Sequence, residues 1–226
     1  MRDLGRRATD PELLDEGVPE EEALRSLADI RFVNRWLGNR GALLEAVRPF
    51  LTASPRPRLL DVGCGSADVP AFLGRSAGVP VTVVGADLKP LHLRMAPPDV
   101  HRVVADVRAL PFPSRSFDVV TASLFLHHFD GAQVAAVLRG LFDLTRRALV
   151  VNDLHRARVP YVFGKVAFRP LFRSHVSVED GLLSIRRAFT PAELRSAFEE
   201  AGLPAVRIRR TWPYRLLAVA ERDGRA

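Results

Sequence analysis

Apolar positions along the chain follow two periods. From Glu21 to Leu51 the period is helical. Leu24, Leu27, Ile30, Val33 and Leu37 recur at spacings of three and four, and Leu43, Leu44, Val47 and Leu51 continue the pattern beyond Gly38 and Gly41. Two helices with a short break are predicted there. After a loop at ASPRPR (53–58), short apolar runs alternate with helical stretches. RLLDV (58–62), VTVVGAD (81–87), VHRVVAD (100–106), FDVVTAS (117–123) and ALVVND (148–153) read as strands, being short and rich in β-branched residues. Helix is predicted over 66–76 and over about 131–144. TPAELRSAFEEA (190–201) opens with an N-cap Thr190, Pro191 at the first helical position and Glu193 three residues after the cap, and Gly202 ends it. PAVRIRRTW and YRLLAVAER then read as two closing strands able to pair antiparallel.

Strands alternating with helices predict an α/β fold: a doubly wound, mostly parallel sheet of seven strands, closed by an antiparallel strand, with helices on both faces. Ligands in such sheets bind at the carboxyl ends of the strands, where strand order reverses. Residues 1–20 are polar, with Pro11 and Pro19, and are expected to form a loose arm. Residues 21–226 are expected to form one domain, with helical segments at 21–51 and 156–189 serving as a substrate lid.

Composition narrows the class. The chain of 226 residues is 47% apolar and 26% charged, the balance of a globular protein with a sizeable core. Its one cysteine, Cys64, excludes an internal disulfide and suggests a reducing compartment. The first residues lack the apolar core of a signal peptide, and no apolar run reaches the length of a membrane span, so a cytoplasmic protein is expected. The formal charge is +7, almost all of it from scattered Arg; Lys89 and Lys165 are the two lysines. Scattered cations do not make the basic face that nucleic acid requires, and nucleic-acid binding is not expected.

Candidate chemistry sits at the strand ends. Asp61, Asp87 and Asp106 each close one of the first three strands. Singly, each reads equally well as a turn or capping residue; three at one sheet edge point to a ligand. Gly63 and Gly65 allow a sharp strand-to-helix turn and close approach of a ligand. A dinucleotide fingerprint would continue with a third glycine, which packs the helix on the strand. Here Ala67 takes that slot and Asp68 follows. A carboxylate there would repel a pyrophosphate, so Asp61 and Asp68 suit a ligand with a positive group.

LLDVGCGSAD (59–68) resembles the first motif of the class I S-adenosylmethionine-dependent methyltransferases, and GADLKP (85–90) and VVADVRALPFPSRSFDVV (103–120) resemble the motifs that follow. The resemblance covers about residues 25–220. It implies a Rossmann-like sheet and S-adenosylmethionine as cofactor. By this resemblance Asp61, Gly63, Cys64, Gly65 and Asp68 belong to the first cofactor-binding loop. Asp87 would bind the ribose hydroxyls and Leu88 would pack on adenine. Asp106 would accept from the adenine amino group, Val107 would offer its N–H, and the Ser123 backbone would face the methionine part. Carboxylates suit a diol and amines.

The segment after the fourth strand, SLFLHHFDG, lacks the Asn-Pro-Pro-Tyr type of motif that marks amino-group methylases of nucleic acids and glutamine. Its LHH resembles small-molecule methyltransferases, which makes His127, His128 and Asp153 candidates for proton removal, with His155 a further one. No metal is expected, since no His/Cys cluster has ligand spacing. RFVNRWLGNRGALL (31–44) is similar to the start of the ubiquinone and menaquinone C-methyltransferases. PYVFGKVAFRPLFRSHV (160–176) mixes aromatic and basic residues, as core packing, a pocket wall or a membrane-surface contact would. The first expectation is O-methylation of a small phenolic, quinonoid or lipid-like hydroxyl. The alternatives are C-methylation of a quinone-like ring, and a non-catalytic adenosyl-ligand-binding or RNA-associated protein.

Overall fold

The computed structural model describes residues 4–37, 40–203 and 205–222. Its centre is a seven-stranded sheet: β1 (Arg58–Val62), β2 (Thr82–Asp87), β3 (His101–Val104), β4 (Phe117–Ser123), β5 (Thr145–Leu154), β6 (Val206–Thr211) and β7 (Arg215–Glu221). The spatial order is β3-β2-β1-β4-β5-β7-β6. β1 through β5 run parallel, and β7 is antiparallel to both β5 and β6. The order reverses between β1 and β4, which opens a crevice at their carboxyl ends. Leu59, Leu60, Val119, Val120, Leu149 and Val150 are fully buried because both sheet faces are covered. This explains why the central strands read as continuous apolar runs rather than alternating ones.

The helices are α1 (Leu13–Glu16), α2 (Glu20–Trp36), α3 (Arg40–Thr52), α4 (Asp68–Ser76), α5 (Pro90–Leu93), α6 (Ala132–Asp143), α7 (Arg158–Leu171), α8 (His175–Arg187) and α9 (Pro191–Glu200). Gly38, the predicted break between the first two long helices, lies outside the described residues, as does Pro204. α9 keeps the predicted capping box: the Thr190 side chain accepts from the Glu193 N–H, and Glu193 accepts from the Thr190 N–H at 2.8 Å. Gly202, at φ +78°, ends it in the conformation glycine adopts without strain.

The arm is not loose over residues 4–20. Arg7 donates to the carbonyls of Arg187, His127 and Phe129, and its guanidinium lies 4.0 Å from the centre of the Phe189 ring. The Asp180 carboxylate of α8 accepts from the N–H groups of Leu13 and Leu14, which start α1. Glu12 is buried. These partners lie far away in sequence, so a polar stretch with no apolar period gave no sign of them. α2 is tied to the start of α8 through Asp29, which accepts from the N–H groups of Arg173 and Ser174. Much of the basic charge is likewise spent inside the molecule, as in the Arg156–Glu193 pair and the Arg187 bonds to the His127 and His128 carbonyls.

Candidate active site

Two cavities meet above the carboxyl ends of the strands. The first, of about 410 Å³, lies over β1, β2 and β4. Every residue that the resemblance assigned to the cofactor, from Asp61 and Gly63 through Ser123, is on its wall. The second, of about 430 Å³, is walled by α2, α7 and α8 together with Trp212 and Tyr214. Glu12, Leu14, Ile30, Leu124 and His128 line both.

The β1 turn is built around close contacts. Gly63 and Gly65 have φ of +60° and +53°, and a Cβ on Gly63 would fall 2.0 Å from the Phe125 ring. Ala67, in the slot of a third glycine, is left-handed too, at φ +53°, at a backbone cost of roughly 1–2 kcal/mol. Its methyl is fully buried against the Gly85 backbone, which offsets part of that strain. The Cys64 thiol is packed there as well, and burial pushes its pKa up, so it is not a nucleophile.

The strand-end carboxylates differ in state. Asp61 is one residue inside the end of β1 and buried, and accepts from Thr121 Oγ1 at 2.6 Å. Register explains the contact, because Thr121 lies directly opposite it on β4. Burial raises the Asp61 pKa to about 7, and the charges of Asp68 and Asp87 add to the rise. Asp68 is less free than its sequence position suggested: it pairs with Arg40 and accepts from Asn34 Nδ2 and Ser66 Oγ. The positive partner of Asp68 is therefore already in the protein, and Asp61 is left as the uncompensated carboxylate.

Asp87 accepts from the N–H groups of Gly65 at 2.8 Å and Lys89 at 2.9 Å, and lies 3.2 Å from His92 Nδ1. Burial opposes its ionisation, but those bonds win and hold its pKa below the usual value. Leu88 is 61% exposed on the cavity wall, an uncovered apolar surface of the kind that packs on a flat ring. Asp106 accepts from the Arg108 side chain and N–H, which hold its pKa at about 2. Val107 follows it in a short 3₁₀ turn. Ser123 accepts from Asn152 Nδ2 at 3.2 Å.

Residues 59–148 match a family model described as a methyltransferase domain. The chain carries a methyltransferase domain over these residues. It is 28% identical over 164 residues to an uncharacterized methyltransferase of Synechocystis, spanning 70% of this chain and 71% of that one. It is 30% identical over 121 residues to a demethylmenaquinone methyltransferase of Chlorobaculum tepidum, a match that spans 52% of this chain and 48% of that protein. The chain thus spans about half the length of that quinone-modifying relative. Two solved structures share the fold. One is the plantazolicin methyltransferase, determined with an analogue and SAH (TM-score 0.64, 14% identity, 92% and 98% covered). The other is a methyltransferase of Aquifex aeolicus (TM-score 0.59, 15% identity, 84% and 92% covered). The methyltransferase's cofactor is S-adenosylmethionine. The unpaired buried Asp61 fits its ammonium, and the exposed Leu88 beside Asp87 fits its nucleoside. When bound, this cofactor supplies an electrophilic methyl group on a sulfonium.

The surroundings of the histidines change what each was expected to do. His127 is buried, with Nδ1 2.7 Å from Asp153 Oδ1 and Nε2 3.6 Å from Glu12 Oε1. Burial alone would lower its pKa; the two carboxylates overcome this and raise it to about 9. Without another ligand, this imidazole already holds the proton that a base would have to accept. Asp153 is fully buried and lines neither cavity, so it positions His127 rather than meeting an acceptor. His128 has Nδ1 2.7 Å from Asp15 Oδ2 and lines both cavities. His155 lines neither. It bridges to Phe189, and burial plus Arg210 and Arg156 lower its pKa. It lies one residue beyond the end of β5, where the chain turns to pair with Phe189.

Sequence reasoning missed three residues. Glu12 and Asp15 come from the arm read as loose. Arg215, at the start of β7, is 3% exposed and lines the apolar cavity; Nη2 donates to the Leu37 carbonyl at 3.4 Å, and Nε and Nη1 have no partner among the described residues. Burial lowers its pKa to about 10. A lone Arg heading an apolar strand reads as an edge residue in sequence, and no local signal marks it.

Proposed function

We propose that the protein methylates a flat, apolar, hydroxylated aromatic molecule of the quinol class at a ring carbon. The observation that carries this is the apolar cavity, which joins the cofactor cavity at Glu12, Leu124 and His128. Phe163, Phe168 and Phe172 suit a ring or isoprenoid-like chain, and Arg215 suits an oxygen on it. The hydroxyl faces the Glu12–His128 corner, and the ring carbon approaches the methyl group in line with the carbon–sulfur bond. The carbon's electron pair forms the new bond, the carbon–sulfur pair passes to sulfur, and the ring C–H proton then passes to solvent while its bonding pair restores the aromatic ring.

Transfer to oxygen was the first expectation, and it leaned on a free imidazole base. His127 does not supply one, while the Chlorobaculum relative is named for a quinone. These two points favour carbon. α2, α7 and α8 act as the lid. The outer face of α7 carries Val162 and Val166, both well exposed, close to Lys165 and Arg169. We read this face as a contact with the surface of an anionic bilayer, where a lipid-like acceptor resides. Among the described residues no helix is long and apolar enough to cross a membrane.

The test is incubation with S-adenosylmethionine and either a naphthoquinol with a free ring position or a simple phenol, followed by product mass and NMR. A C-methylated naphthoquinol is expected. An O-methyl ether restores the first expectation, and no product from either acceptor overturns the proposal.

A further inference from the structure

Glu12, His127 and His128 do more than border the two cavities. One ligand atom from each can be chosen so that all three lie within 4.8 Å of one another. His127 Nε2 is 3.6 Å from Glu12 Oε1, and His128 Nε2 is 3.9 Å from Glu12 Oε2. Both separations exceed a hydrogen bond. They are close to the roughly 3.3 Å edge of a tetrahedron built on metal–ligand bonds of about 2.0–2.1 Å.

The surroundings repeat a metal-site pattern twice. His127 Nδ1 is 2.7 Å from Asp153, and His128 Nδ1 is 2.7 Å from Asp15. A histidine whose Nδ1–H is held by a carboxylate turns its Nε2 lone pair outward in a fixed direction. Here two such lone pairs converge on one carboxylate. Ser184 Oγ donates to Glu12 Oε1 at 2.6 Å, and Arg187 holds the carbonyls of both histidines. Both the ligands and the groups behind them are therefore fixed in place.

We propose that Glu12, His127 and His128 bind one divalent transition-metal ion of the zinc class, with its open coordination position on the apolar cavity. Two histidines and one glutamate leave a fourth position free, as catalytic rather than structural sites do. The ion takes the place of the proton on His127. All three ligands line the apolar cavity, so the open position is where the acceptor's hydroxyl oxygen arrives. Ligation breaks the O–H bond, sends its proton to solvent and forms a metal–oxygen bond. The phenolate then raises electron density at the ring carbon. The role in methyl transfer rests on the acceptor class proposed above; the metal site does not.

The experiment uses the full chain, purified without a histidine tag, stripped with chelator and titrated calorimetrically with Zn²⁺. One equivalent is expected to bind, with binding lost in Glu12→Ala and in His128→Asn. His175→Ala, a change at an exposed histidine, should keep it. Asp15→Asn should weaken it by roughly 10–100-fold, as loss of a supporting carboxylate does. Circular dichroism identifies variants that fail to fold, and the milder Asp15→Asn then decides. No stoichiometric binding to the wild type, or binding unchanged in all the site variants, overturns the site. Co²⁺ in place of Zn²⁺ reads the open position: its visible absorption should shift when a simple phenol is added, and an unchanged spectrum overturns the oxygen ligation. Zn²⁺ binding that follows this pattern without methylation of any quinol would sink the acceptor reading alone.

Discussion

Thr121 Oγ1 donates to the Asp61 carboxylate at 2.6 Å across the β1–β4 pair, and the charges acting on that carboxylate, Asp68 and Asp87, are both negative. A buried acid in this setting ionises only near pH 7. Raised from its ordinary value, it contributes stability while protonated. The ligand-free protein should therefore lose stability as pH rises from about 4 through about 7. Binding of a cation has the opposite sign, because the ammonium needs the ionised form. Affinity for S-adenosylhomocysteine, measured calorimetrically, should tighten by up to about tenfold per pH unit below about 7 and level off above it. In Asp61→Asn the slope should vanish; an equal slope there would refute the assignment.

Asp87 tests the other end of the cofactor. It carries two backbone N–H bonds as well as the surface offered to the ribose. Asp87→Ala should weaken S-adenosylhomocysteine binding by at least about tenfold, since a hydrogen bond to a charged group contributes about 1.5–3 kcal/mol. An unchanged Kd would remove the ribose role.

Arg215 separates stability from function. A buried guanidinium without a carboxylate partner is a standing cost to the fold, and replacing buried charge with an apolar side chain is often stabilising. Arg215→Met should raise Tm while increasing KM for the quinol acceptor. A higher Tm with unchanged KM would show that the residue has no part in acceptor binding.

Arg7 fastens the arm to the rest of the molecule. Arg7→Ala removes three bonds to backbone carbonyls and the contact over Phe189. Hydrogen exchange at the Leu13 and Leu14 amides should speed up while the β1 and β4 amides stay protected. Equal exchange in the variant would mean that the remaining ties, from Asp180, Ser184 and His128, hold the arm without Arg7.

The exposed face of α7 gives the membrane prediction. Val162 and Val166 lie four residues apart, on one side of the helix, and line neither cavity. Val162→Asp with Val166→Asp should reduce cosedimentation with anionic vesicles at least about tenfold and leave turnover of a soluble acceptor unchanged. Equal cosedimentation would dismiss the bilayer contact.

The local pattern alone was enough to predict the sheet and the glycine turn after β1. Leu59 and Leu60 stand just before Asp61 and two glycines follow within four residues, while Asp87 ends β2 and Asp106 lies two residues past β3. Strand period and turn chemistry act over a few residues, and parallel strands bring their ends to one edge by construction. The capping box of Thr190 and Glu193 was legible for the same reason. Tertiary structure decided the charge states and the company of the site. Asp68 is compensated by Arg40, Asp61 is not, His127 is clamped by Asp153 and Glu12, and Arg215 is buried with a single bond to the Leu37 carbonyl. Each of these depends on residues that meet only after the arm, α3, α4, β5 and β7 have packed. A carboxylate's pKa and a histidine's tautomer are set by neighbours within a few ångströms, and nothing in a linear sequence records those neighbours when they come from distant segments.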